Sequence, residues 1–315
     1  MDIPDDRALS PPRTGRKLKE HVDQIEQCDD KGCILPDGTV QPPLLCEEFA
    51  ARRRARAVPS GCTLPPELLV ERVIRFDASA HPLVDVLATA VGAKSAELNE
   101  LHHTERMRAF LQRRKHLGCT PVDASYKASG GCRFNPALKD CYLGFLREVV
   151  MPRFPDARGL LYQREPNLRC HLPGTGRQLV LRHCDADYHH QPNEINIWVP
   201  CTACYGTNAL WVESAPGRAD YHPIEMQVGE FLQFYGHQCD HFTFPNDTEH
   251  TRLSLDFRVV PCSHFLERYD SSHHPNGRPR FGQDAFFALL EPTSSAIPSS
   301  AHPLDAGEAA APELS

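Results

Sequence analysis

The stretch HCDADYHHQPNEINIWVP, residues 183 to 200, places His183, Asp185, Asp187, His189 and His190 within eight positions and then enters a strand-like run. Imidazoles and carboxylates at that density suit metal ligation. If RQLVLRHCDAD is a strand, alternation puts Leu179, Leu181, His183 and Asp185 on one face, so that an imidazole and a carboxylate project side by side at the end of an apolar row. Two such ligands hold an ion only with a third from elsewhere, and two histidines with one carboxylate form the donor set of a non-haem Fe(II) site with open positions.

Candidates for the third ligand follow the run GEFLQFYG: His237, His241 and His250, in HQCDHFTFPNDTEHTRLSLDFR. In TRLSLDFRV, alternation places Leu253, Leu255, Phe257 and Val259 on one face and Arg252, Ser254, Asp256 and Arg258 on the other. If that polar face looks into a barrel mouth, Arg252 and Ser254 form an R-x-S pair, a guanidinium fork beside a hydroxyl, suited to gripping the carboxylate of a dicarboxylate co-substrate. Arg258 rivals them for that grip but lies deeper along the strand and is set aside.

The elements that must position these groups are mostly strands. After Pro155 the chain reads as short apolar runs separated by turn residues: GLLYQ, LRCHL, RQLVLRH, EINIWVP, NALWVE, GEFLQFYG and TRLSLDFRVVP. Strands at that spacing, without long helical patterns between them, point to a sandwich or barrel. Upstream, residues 76 to 115 repeat apolar positions at three- and four-residue steps, the helical signature, and a second helix is expected over NPALKDCYLGFLREVV with Asn135 as cap and Pro136 in the first turn. Residues 1–65, rich in Pro and Arg, read as a partly ordered extension, 66–290 as one catalytic domain with its metal-binding core at about 155–262, and 291–315 as a disordered tail.

A formal charge of −7 on 315 residues argues against a nucleic-acid surface, and the basic run ARRRARA at residues 51 to 57 reads as a solvated helix face. No apolar run approaches the roughly 18 residues that span a bilayer. Thirteen cysteines, an odd number spread along a chain that opens MDIPDDRALSPPR, fit a reduced, cytoplasmic setting. CTAC, with Cys201 and Cys204, looks like half a zinc site, but no second CxxC exists and buried thiols are the simpler reading.

His183-x-Asp185, a histidine 56 positions beyond Asp185 and an arginine eleven beyond that resemble the HxD…H…R pattern of Fe(II)/2-oxoglutarate-dependent oxygenases. The longer strings HCDADYHHQPNEINIWVPCTACYGTNALWVES and GEFLQFYGHQCDHFTFPNDTEHTRLSLDFRVVP resemble the branch containing StrG-type proteins of streptomycin biosynthesis, distantly akin to phytanoyl-CoA hydroxylases. The resemblance covers about residues 155 to 262. It implies a mainly β fold with flanking helices, a double-stranded β-helix or jelly-roll, with Fe(II) bound by His183, Asp185 and His241. It also implies 2-oxoglutarate held by Arg252 and Ser254, and O2 as oxidant. The expected reaction on a small-molecule substrate, in specialised metabolism, is hydroxylation, desaturation or oxidative cyclisation, coupled to oxidative decarboxylation of 2-oxoglutarate to succinate and CO2. Asp185 disfavours halogenation, for which a small residue stands in its place.

Further residues are candidates for the pocket. Asn208, in GTNALWVES, could meet 2-oxoglutarate; Glu194, Asn196 and Trp198 share one face of EINIWVP; Tyr162 and Arg169 lie on the strands leading to the motif. His189, His190 and His250 read as surface groups or as groups that orient metal-bound imidazoles, and Asp187 as a turn residue. Two other readings stand beside the oxygenase: a metal-dependent cupin-type isomerase or epimerase, which has no use for Arg252 and Ser254, and a non-catalytic jelly-roll binding protein.

Overall fold

In a computed structural model the chain is described over residues 61–112, 120–188, 190–218, 220–267, 269 and 286–292, together with a two-residue ladder pairing Cys33–Ile34 with Val40–Gln41. The Pro/Arg-rich extension before Gly61, that ladder apart, lies outside the described residues, as does the tail from residue 293.

Alternation in β9, Arg252–Pro261, organises the molecule. Leu253, Leu255, Phe257 and Val259 join the hydrophobic core, whereas Arg252, Ser254 and Arg258 are buried on the opposite face. The same division holds in β4, Ile195–Pro200, where Ile195, Ile197 and Val199 alternate with Asn196 and Trp198. Seven antiparallel strands form the major sheet. In chain order they are β1 (Arg72–Arg75), β2 (Leu160–Gln163), β3 (Asn167–His171), β4, β7 (Glu230–Phe234), β9 and β10 (Phe287–Leu290). Their spatial order is β10-β2-β9-β4-β7-β1, with β3 sharing the β2 edge of β9. A smaller antiparallel sheet, β8-β5-β6, comprises Leu210–Val212 (β5), His222–Ile224 (β6) and His241–Phe242 (β8). The two sheets form a double-stranded β-helix, and the polar face of β9 meets the small sheet.

Helices cover the apolar face. The expected helical stretch from residue 76 is split into α1, Leu83–Val91, a 3-10 helix, Ser95–His103, and α2, Glu105–Gln112. Gly92 stops α1 in the left-handed region at φ 75°, where only glycine is free of strain. Beyond α3, Pro121–Ala128, and the single turn α4, Gly131–Phe134, runs α5, Pro136–Phe145. It begins as the sequence predicts, with the Asn135 side chain accepting a hydrogen bond from the Leu138 N–H. Phe145 of α5 packs edge-on against Phe76 and Phe231, and the Tyr142 hydroxyl donates to the Gln163 carbonyl, fastening the helix to β7 and β2.

One expected strand does not form. Residues 179–182 of RQLVLRH run as bends, and Leu181 is exposed rather than part of an inward apolar row. Their neighbour is a side chain instead of a full ladder: the Thr243 hydroxyl accepts from the Leu179 and Val180 N–H groups, and the Thr243 N–H donates to the Val180 carbonyl. Regular pairing is confined to one bridge, His183 with His241.

Candidate metal centre

That bridge brings two of the predicted ligands together. Reciprocal backbone hydrogen bonds join His183 and His241, and their rings lie 4.3 Å apart between centroids. Just past His183 the chain enters a 3-10 turn, Asp185–Tyr188, begun by the Asp185 N–H donating to the Gly236 carbonyl. The turn swings the Asp185 carboxylate under both rings, with Oδ1 3.8 Å from His183 Nε2 and 3.7 Å from His241 Nε2. Asp187 falls in this turn, and His189 lies outside the described residues.

Both imidazoles are oriented in the same way. His183 Nδ1 sits 2.8 Å from the Leu181 carbonyl and His241 Nδ1 3.0 Å from the Cys239 carbonyl, in each case two residues back. A carbonyl only accepts, so each Nδ1 carries the proton and each Nε2 presents a lone pair to the space beside Asp185. Burial, then the neighbouring His183, pushes His241 down to about 4, keeping it in the neutral form a metal requires. The rival His237 is committed elsewhere: its Nε2 faces the His190 carbonyl and its Nδ1 faces Gln238.

The Asp185 carboxylate is 1% exposed and fully engaged. Arg258 donates to it twice and Asn196 Nδ2 donates to Oδ2 at 2.7 Å. Burial alone would raise this carboxyl, but Arg258 and then His241 hold it well below the usual carboxylate range. Asn196 reaches the carboxylate only because residue 236 is glycine: a Cβ there would stand 2.6 Å from the Asn196 amide.

Arg252 is placed differently. Its side chain is 1% exposed, Nε donates to the Asn208 carbonyl, Nη1 donates to Ser254 Oγ at 2.8 Å, and the guanidinium carbon lies 5.4 Å from the centre of the Trp198 ring. Arg169, Arg182 and Arg258 each have an acidic partner within 3.3 Å, whereas Arg252 makes no ion pair among the described residues. A buried cation without a counter-charge is costly, and an incoming carboxylate would supply one. His183, Asn196, Trp198, His241, Arg252 and Arg258 share a single cavity, so the candidate carboxylate site and the donor cluster face the same space.

The remaining candidates divide. Arg169 lines the same cavity while bound to Asp256, and Ser254 is fully buried beside Arg252. The Asn208 side chain is used within its own turn, accepting from the Tyr205 N–H and donating to Thr248, so its link to Arg252 is through the main chain. Glu194 is buried against His190 at 2.5 Å, and Tyr162 packs edge-on against Tyr142; neither is among the cavity's lining. Cys201 and Cys204 are buried free thiols. Sequence reasoning found Arg258 on the inward face but took it as a rival for the co-substrate grip and missed its pairing with Asp185; it missed Gly236 altogether, for which there was no signal.

No family model matches the chain. It is 37% identical over 219 residues to the streptomycin biosynthesis protein StrG of Streptomyces griseus, covering 69% of this chain and 94% of that protein. The chain belongs to the StrG family. Among solved structures, EctD from S. alaskensis is 16% identical over 71% of this chain and 85% of its own, at a TM-score of 0.38. CytC3 with Fe(II) and alpha-ketoglutarate is 16% identical over 67% and 85%, at 0.32.

The donor set of this StrG-family site fits Fe(II): two neutral imidazoles and one carboxylate oxygen, with mutual separations under 4.8 Å and a cavity on the open side. Among the described residues no helix is long and apolar enough to cross a membrane.

Proposed function

We propose that the protein is a non-haem Fe(II)/2-oxoglutarate-dependent oxygenase acting on a small-molecule substrate. The observation that carries this reading is the buried Arg252, without an ion-pair partner among the described residues, facing the same cavity as the His183 and His241 donors. An enzyme needing only a metal has no use for an unpaired cation there; one that takes up a dicarboxylate does.

Iron(II) in this site would supply the oxidation of substrate by O2, coupled to oxidative decarboxylation of 2-oxoglutarate to succinate and CO2. The protein's own groups bind and orient. His183, Asp185 and His241 hold the metal, their directions set by the Leu181 and Cys239 carbonyls and by Arg258. Arg252 and Ser254 receive the far carboxylate of 2-oxoglutarate, which fixes the end of the co-substrate that does not react. Trp198 and Leu210 wall the cavity and keep water from the charges. The outer cleft, lined by Asn167, Arg169, Tyr188 and His190 and reaching His183 and Asp185, is the approach for the primary substrate. Its polar walls suit a substrate rich in hydrogen-bonding groups, and hydroxylation, desaturation and cyclisation are separated by which substrate carbon it presents.

Anaerobic addition of Fe(II) and 2-oxoglutarate to the purified protein is expected to produce the visible charge-transfer band of a chelated keto acid. Its absence, with iron bound, would leave a cupin-type isomerase as the better account.

A further inference from the structure

A second set of metal-ligand side chains stands outside this cavity. Glu100, His102 and His103, at the end of the 3-10 helix Ser95–His103, each offer a donor atom, and these atoms lie within 4.8 Å of one another. Three residues per turn stacks Glu100 over His103, whose Nε2 is 3.3 Å from Glu100 Oε2. The His102 and His103 rings approach to 3.9 Å between centroids. Across from them, on the chain leading into β9, His250 brings Nδ1 to 3.0 Å from Glu100 Oε1. That contact lacks hydrogen-bond geometry, which leaves the His250 nitrogen buried without a hydrogen-bond partner.

The cluster is oriented as ligands are. His102 Nδ1 is hydrogen-bonded to Thr251 Oγ1 at 2.9 Å, which fixes the ring's orientation; with the hydroxyl as acceptor, Nε2 is the nitrogen free for a metal. Two or three imidazole nitrogens with one carboxylate oxygen is a donor set for Zn(II) and its neighbours; Mg(II) and Ca(II) prefer oxygen alone.

We infer that Glu100, His102 and His103, with His250 as fourth donor, form a second divalent-cation site of the zinc class that clamps the 3-10 helix to the start of β9. The two segments already touch through the Thr251 N–H donating to the Asn99 carbonyl, and the next residue is Arg252. A cation held there locks the entry to the strand that carries the proposed co-substrate arginine. The clamp does not depend on the oxygenase reading.

Cobalt(II) tests it, because its visible spectrum reports ligand type and number. The full-length protein is expected to bind two equivalents; His103→Ala, an exposed position that folding tolerates, removes one, and His183→Ala removes the other. Zn(II) displaces the cobalt from the His103-dependent site and raises the melting temperature of His183→Ala, whereas Mg(II) does neither. Binding of a single equivalent by the unaltered protein overturns the site. So does a second equivalent that survives both His103→Ala and Glu100→Gln, or one with the near-ultraviolet absorption of thiolate ligation, which would assign it to cysteines.

Discussion

Arg258 closes on Asp185 with two arms of its guanidinium, Nε to Oδ2 and Nη2 to Oδ1, each at 2.9 Å. The carboxylate offered to a metal is therefore already half of a buried ion pair, and its plane is set before any cation arrives. This assigns Arg258 a different partner from the co-substrate carboxylate that its rivalry with Arg252 suggested.

Arg258→Gln is expected to destabilise the metal-free protein by about 3–5 kcal/mol, the usual result of stranding one member of a buried pair. Added Fe(II) should recover part of the loss, because the cation then supplies the missing positive charge and binds only the folded chain. Arg258→Lys should fall short of the original protein, since an ammonium cannot make the two-point contact. Urea unfolding with and without metal measures all three; an unchanged midpoint in Arg258→Gln would refute the role.

Arg252→Gln should behave in the opposite sense. It removes a buried cation that makes no ion pair among the described residues, so the apo protein should lose little stability, while 2-oxoglutarate binding weakens by about 2–5 kcal/mol, or roughly 30- to 5,000-fold. Ser254→Ala should cost about 0.5–1.5 kcal/mol, one neutral hydrogen bond. Titration of the charge-transfer band gives both affinities, and a Ser254 effect equal to that of Arg252 would contradict the electrostatic argument.

His183→Ala and His241→Ala should each abolish iron binding, and His237→Ala should retain it, because His237 points both ring nitrogens at other partners. Metal content after gel filtration distinguishes them.

A pH effect is expected at the joint between β6 and the residue that precedes β1. Burial draws the His222 imidazole down, but the Glu71 carboxylate 2.7 Å away outweighs it and the net shift is upward. The stabilisation is thus complete below the unfolded histidine value, about 6.5, and is lost as pH rises through the higher folded value. The melting temperature should fall from about pH 6 to about pH 9 by more in the original protein than in Glu71→Gln. Equal slopes would remove this pair from the account.

Part of the site was legible in strand spacing: Arg252-x-Ser254 falls on one side of an extended strand, and that face does point inward. His183-x-Asp185 was legible by residue type and separation, but a single bridge followed by a 3-10 turn, not a strand, brings its two side chains together. What could not be read depended on contacts distant in sequence. The bends at residues 179–182 follow from the Thr243 side chain, more than sixty positions away, taking the place of a ladder. Strand β1 has little pattern of its own and exists because β7, far downstream, pairs with it from Arg72 opposite Gln233 to Arg75 opposite Glu230. The need for glycine at 236 arises only once Asn196 is beneath it.

The backbone bridge between His183 and His241 is a single rung with no regular pairing on the His183 side. Its two amide protons are thereby a natural clock for the site. Without metal they are protected only by that rung and should exchange with deuterium at the pace of local opening, far ahead of the amides in β4 and β9. A bound cation joins the same two residues through their side chains, so opening the rung would require releasing the ion, and exchange at these two positions would slow to the pace of metal dissociation.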